Sequence, residues 1–219
     1  TSFPDNGKSG SGVTANSCST VNFSVVTSGS VVFDNTLTKT NSCAFNNANY
    51  LPALASSNTL GLGLDGNAGE VVGTITITFS KPVTDPLIYF SGIDYKYWDF
   101  SPTAGLVAVE RMSGNSSFLV DGFKVGRLDQ PTATTTNNLP ISCTEVTGGF
   151  NISGYGNIRL QGTFTTININ AVAINSKLDG TVFNVVLDNL TCDANNDGIP
   201  NSQQLDSDGD GCSDAIESG

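Results

Sequence analysis

Histidine is missing from all 219 residues, and basic residues of any kind are scarce. Nine lysines and arginines face twenty aspartates and glutamates, for a net charge of −11. Without histidine, Ser/His/Asp and Cys/His catalytic triads are impossible. Zinc sites of the mixed Cys/His type fall with them, and no CxxC pair offers a thiolate substitute. The shortage of lysine and arginine leaves no basic patch to track phosphates, which argues against nucleic-acid and anionic membrane partners. No apolar run approaches the roughly 18 residues that a membrane helix requires, so no direct membrane insertion is expected. Charged residues make up 13% of the chain, about half the usual share. The chain has neither an initiator methionine nor a signal peptide, so Thr1 is expected to be a mature N-terminus or a fragment boundary.

Threonine, serine, asparagine and glycine fill the gap, giving a polar but uncharged surface typical of extracellular β proteins. Short strand patterns recur throughout. In VVGTITITF (71 to 79), Ile75, Ile77 and Phe79 face one way and Thr74, Thr76 and Thr78 the other, as in a half-buried antiparallel strand. Strand patterns are also expected at 21–27, 30–34, 60–64, 86–93, 105–111, 116–126 and 157–164. The segments at 167–175 and 181–190 read as a hairpin joined by SKLDG. Residues 1–20 read as an irregular entry, and 130–140 as a long polar loop. No segment before residue 190 has an amphipathic helical period. The expectation is an all-β, antiparallel, jelly-roll-like β-sandwich over residues 1–190, followed by a distinct segment at 191–219. Five cysteines (Cys18, Cys43, Cys143, Cys192, Cys212) in such a chain suit an oxidising compartment with up to two disulfides. The pairing stays open; Cys18–Cys43 and Cys192–Cys212 are favoured, and a role as small buried hydrophobes is the alternative.

The acidic residues are not evenly spread: seven lie within 193–219, with no basic residue among them. Carboxylates at this density repel unless something neutralises them. The segment aligns on itself, DANNDGIPNSQQ (193–204) with DSDGDGCSDAIE (206–217), at an offset of thirteen residues. Both units fit D-x-[DN]-x-[DN]-G-x-x-[DN]-x-x-[EQ], the spacing of an EF-hand-type calcium loop. Side chains at positions 1, 3 and 5 converge as the backbone curls, and glycine at 6 permits the bend. Position 7 offers a carbonyl, and position 12 closes the coordination sphere. The second loop's candidate ligands are Asp206, Asp208, Asp210, the Cys212 carbonyl, Asp214 and Glu217. The first loop offers Asp193, Asn195, Asp197, the Ile199 carbonyl, Asn201 and Gln204. Hard oxygen donors in this number suit Ca²⁺. The second loop carries five negative charges and the first two, so the second is expected to bind more tightly, or the first to borrow Asp206 or Asp208. A solvated acidic linker is the bland alternative, and two in-register matches with both glycines in place argue against it.

No long helix flanks these loops. Tandem calcium loops at this spacing resemble thrombospondin type 3 repeats. That resemblance covers 193–217 only. It implies repeats wrapped around a line of calcium ions and stapled by disulfides, with which Cys192 and Cys212 are compatible, and a calcium-stiffened spacer without catalysis. The form DSDGDGCSDAIE after a Thr/Asn-rich β domain is also similar to the large multi-domain surface adhesins of gliding and marine Bacteroidetes-type bacteria. In these, sandwich modules alternate with calcium repeats. The resemblance implies a bacterial cell-surface location, neighbouring domains in a longer chain, and a sandwich that binds a glycan or other surface ligand.

Within the sandwich the densest aromatic cluster is SGIDYKYWDF (91–100). Tyr95, Tyr97 and Trp98, the sole tryptophan, lie beside Asp94 and Asp99. Aromatic rings stack on sugar faces and carboxylates bind hydroxyls, so these five residues are the candidate ligand site; packing at a sandwich corner is the plain alternative for the rings. Asp65, Asn67 and Glu70 in LDGNAGE form a weaker ion-binding candidate, more simply a glycine-rich turn. A glycosidase needs two carboxylates, but no spacing marks any two of Glu70, Glu110 and Glu145 as partners. The expectation is therefore a non-enzymatic adhesion module. A carbohydrate-binding module of a secreted enzyme and a ligand-free structural spacer are its rivals.

Calorimetric titration of the intact chain with calcium is expected to show at least one site, abolished in the Asp208→Ala, Asp210→Ala double variant. Calcium bound only to the native state adds ~2.7 kcal/mol of stability at a hundredfold excess over Kd. No heat above buffer from the unmodified protein would refute the calcium reading.

Overall fold

A computed structural model describes residues 7–15, 20–33, 39–42, 44–54, 57–64, 69–94, 96–126, 153–174 and 179–187. In chain order its strands are β1 (Ser9–Ala15), β2 (Thr20–Thr27), β3 (Val32–Phe33), β4 (Lys39–Ser42), β5 (Ser57–Leu64), β6 (Val71–Thr84) and β7 (Leu87–Ile93). They continue as β8 (Lys96–Asp99), β9 (Ala108–Gly114), β10 (Leu119–Asp121), β11 (Lys124–Gly126), β12 (Gly154–Gln161), β13 (Thr163–Ala173) and β14 (Asp179–Val186). No helix occurs among the described residues. Two antiparallel sheets form. Sheet A has the order β1-β2-β6-β13-β8-β11-β10, and sheet B the order β3-β5-β14-β7-β12-β9 with β4 paired to β5.

Alternation drives the packing. On β6, Gly73, Ile75, Ile77 and Phe79 point inward and are buried, while the threonines between them face out. Ile167 and Ile169 of β13 extend that apolar layer. Sheet B answers with Leu60, Leu62, Ile88, Phe90, Ile158, Leu160, Phe183 and Val185. The two inner faces close on each other as a β-sandwich.

The chain changes sheet at most connections. The segments expected to form a hairpin, β13 and β14, are not partners. β13 pairs with β6 and β8 in sheet A, and β14 with β5 and β7 in sheet B. Both strands carry an apolar face, and crossing between sheets lets those faces meet across the core instead of lying side by side. Two other crossings are tied together. Asp85, at φ 47°, donates its backbone N–H to Gly162 O (2.9 Å), and Gly162 donates its own to Asp85 Oδ1 (2.7 Å). At the β2–β3 crossing Gly29 has φ 60°, and a Cβ there would lie 2.3 Å from Val72 O, so only glycine fits.

Residues 9–15, expected to be irregular, form the edge strand β1. It seals the seam between the sheets. Gly7 O accepts from Phe33 N (3.1 Å), the Lys8 ammonium donates to Val31 O (2.7 Å), and Thr14 Oγ1 donates to Val185 O (3.0 Å).

All seven residues of β7 are buried. One face meets sheet A. Residues 44–54 cover the other and build a second, smaller core of Ala44, Phe45, Tyr50, Leu87, Tyr89, Tyr155 and Val182. Polar contacts pin this strap. Asn157, fully buried on β12, donates from Nδ2 to Leu51 O (2.7 Å) and accepts from Leu51 N (3.1 Å), so one carboxamide completes both halves of a backbone pairing. Ser113 donates its hydroxyl to Asn49 O (2.8 Å), Tyr89 to Pro52 O (2.7 Å) and Tyr50 to Phe90 O (2.9 Å).

Replacing Asn157 by alanine strips both Leu51 groups of their partner, at an expected cost of about 3 kcal/mol in chemical denaturation. Amide exchange should quicken across 44–54 before it does in β6 and β13. Unchanged protection of the strap in that variant would show that its apolar contacts alone hold it.

Candidate functional site

The aromatic cluster of residues 91–100 folds as the end of β7, a crossing, and the short strand β8 between β13 and β11. Strand alternation then sorts its side chains. Lys96 and Trp98 point into the core with 0% exposure, whereas Tyr97 and Asp99 face out and are half-buried. Tyr95 lies outside the described residues. Trp98 stacks on Phe90 (centroids 6.3 Å, interplanar 20°), and Phe100 and Phe118 pack on the same Phe90 ring. The tryptophan therefore presents no ring face to solvent. Its indole N–H is buried without a hydrogen-bond partner among the described residues.

Asp94 also turns inward and is buried. Its charge bears on Tyr155, whose phenol is pushed up to about 12, mainly by burial, with the Asp94 carboxylate adding to the rise. Burial also pushes the Tyr50 phenol far above its ordinary range. Asp94 and Lys96 are both engaged by neighbouring groups. The four described cluster residues are thus divided: Asp94 and Trp98 inside, Tyr97 and Asp99 on the outer face of sheet A.

The sheet register supplies neighbours that sequence reasoning missed. Asp99 lies opposite Asn170 of β13 on one side and Lys124 of β11 on the other. Thr74 continues this row beyond Asn170, and Asp121 continues it beyond Lys124. The Lys124 ammonium sits 5.5 Å from the Tyr97 ring centroid, within cation–π range. Asp99 Oδ1 accepts from Ser101 N (2.9 Å), and Thr103 Oγ1 both donates to Asn168 O (2.7 Å) and accepts from Asn168 N (3.0 Å). The loop after β8 is thereby docked on β13. The outward asparagines are visible in the ININ alternation of 167–170, but which strand would lie beside them is not.

Of the weaker candidate, Glu70 is exposed, and its backbone is bound to the end of β13 through Ala173 N→Glu70 O (3.1 Å). Asp65 and Asn67 lie outside the described residues, as do all twelve calcium-ligand candidates from Asp193 to Glu217 and all five cysteines. Among the described residues, no group of three or more acidic or cysteine side chains converges to hold a metal. No protein-family model matches the chain, and neither a curated protein nor a solved structure shows significant similarity to it.

The buried phenols predict alkaline instability. Tyr155 holds its proton more tightly folded than unfolded, so its contribution is complete below pH ~10 and is lost as pH rises towards about 12. Urea unfolding at stepped pH is expected to show that decline, and Tyr155→Phe should flatten part of it, by about 2 kcal/mol at the alkaline end. An unchanged slope in the Phe variant would assign the decline to other groups.

Proposed function

We propose that this chain is a non-enzymatic adhesion module of a bacterial cell surface: a β-sandwich that binds a glycan or other surface ligand, followed by the start of a calcium-stiffened stalk. The observation that carries the reading is the tandem calcium-loop pattern at 193–204 and 206–217, in register at thirteen residues. Loops of this kind bind Ca²⁺ in the millimolar range in extracellular modules, which suits a location outside the cell. Calcium bridging the loops would stiffen the segment and hold the sandwich away from neighbouring domains of a longer chain.

The sandwich supports a display role in two ways. Its aromatic weight, including Trp98, is spent on packing, and its outer sheet A face carries threonine, serine and asparagine with few charges. The absence of histidine supports a non-catalytic role.

A glycan array probed with the intact chain in calcium is expected to show binding to a restricted set of glycans. A flat array at high protein concentration would sink the glycan reading. Trp98→Ala is a poor diagnostic variant here, because a buried tryptophan lost from the core costs about 3–5 kcal/mol whatever the ligand.

A further inference from the structure

We infer that the ligand face of the sandwich is a strip across the outer side of sheet A, centred on Tyr97, Asp99, Asn170 and Lys124, and that it takes a neutral, polyhydroxylated glycan. This rests on the ligand-binding reading above and gives it a place and a substrate class. Alternation along β8 sends Tyr97 and Asp99 to the same exposed side, one ladder step of about 7 Å apart. The register then puts the Asn170 carboxamide and the Lys124 ammonium on either side of Asp99. Directly opposed side chains in an antiparallel pair have Cβ atoms about 5 Å apart, so the three polar groups act as one row. Thr74 and Asp121 extend it to five strands, about 19 Å across.

The chemistry of the row is that of hydroxyl recognition. A carboxylate offers acceptors only, whereas a carboxamide offers both donors and acceptors. Set side by side, they match a pair of adjacent sugar hydroxyls. The Tyr97 ring, steadied by Lys124 at 5.5 Å, adds an apolar surface for sugar C–H groups. Charge chooses among glycans. The strip sets one lysine against Asp99 and Asp121, in the part of the chain (residues 1–192) where thirteen acidic residues outnumber nine basic ones. An acidic polysaccharide is repelled by that field, and a neutral one is not. The other broad face, that of sheet B, has its centre closed by the 44–54 strap.

Affinity electrophoresis tests this with native gels containing laminarin, galactomannan, dextran or, as the acidic probe, alginate. The unmodified protein is expected to be retarded by at least one neutral polymer and not by alginate. Tyr97→Ala and Asn170→Ala should each weaken that retardation about tenfold, the scale of one lost charge-adjacent contact. Lys81→Ala, exposed on β6 away from the strip, should leave it unchanged. Thermal midpoints establish that each variant is folded, and Asn170→Ala carries the test should Tyr97→Ala prove unstable. Full retardation of both folded variants would overturn the placement while leaving glycan binding intact. Retardation by alginate alone would overturn the neutral class. Retardation of the unmodified protein by none of the four polymers would remove the proposed site and, with a flat glycan array, the glycan reading itself.

Discussion

The Phe90 ring lies at the middle of β7, stacked with Trp98 and flanked by Phe100 and Phe118. Most of the sandwich is arranged around that contact. Trp98 comes from β8 in sheet A and Phe90 from β7 in sheet B, so the pair ties the two layers together across the crossing that joins those strands. The strand carrying Phe90 is buried on both faces, which is why its sequence, LIYFSGI, reads as a continuous run with no alternation. A strand of that kind in an antiparallel sheet requires a cover on its second side. The 44–54 strap is that cover, tied in both directions: its Tyr50 donates to Phe90 O on β7, and Tyr89 of β7 donates to Pro52 O of the strap.

Much of the strand content is legible in the chain because period-two alternation is a local property. Ile75, Ile77 and Phe79 announce their face without reference to anything else. Pairing is not local. The stretch at 167–186 looks like a hairpin because two alternating segments flank a turn, yet the same pattern serves equally when the chain arches from one sheet to the other. Only the competition among all apolar faces decides between the two, and here the arch wins at β2–β3, β6–β7, β12–β13 and β13–β14. β1 is hidden for a different reason. SGSGVTA has little side chain to signal a strand, although it pairs along its whole length with the neighbouring β2, and the Gly7, Lys8 and Thr14 contacts that fasten it to sheet B join residues far apart in sequence.

The aromatic cluster shows the same limit at a site. Aromatics beside aspartates after a strand read naturally as a binding loop. Once YKYWD is itself a strand, its alternate residues must part. Trp98 goes to the core, where burying its large apolar surface is worth more than exposing it, and Tyr97 and Asp99 remain outside. Asn170 and Lys124 join them only through register, which no spacing in the chain encodes.

The distribution of charge bears on how the two parts of the chain would work together. Outside residues 193–219 the chain holds thirteen acidic and nine basic residues, so most of the net −11 belongs to the last 27 residues. If the proposed loops hold calcium, its charge would cancel much of the repulsion among those carboxylates within the loops themselves. Such neutralisation is short-ranged at physiological salt, where the Debye length is about 8 Å. Calcium held there, as proposed, would therefore not need to alter the electrostatics of a sheet face on the sandwich. A ligand strip built from neutral hydroxyls, one carboxamide and a near-balanced set of charges would bind alike in metal-free and metal-loaded chains, leaving calcium to govern how far and how firmly it is held out.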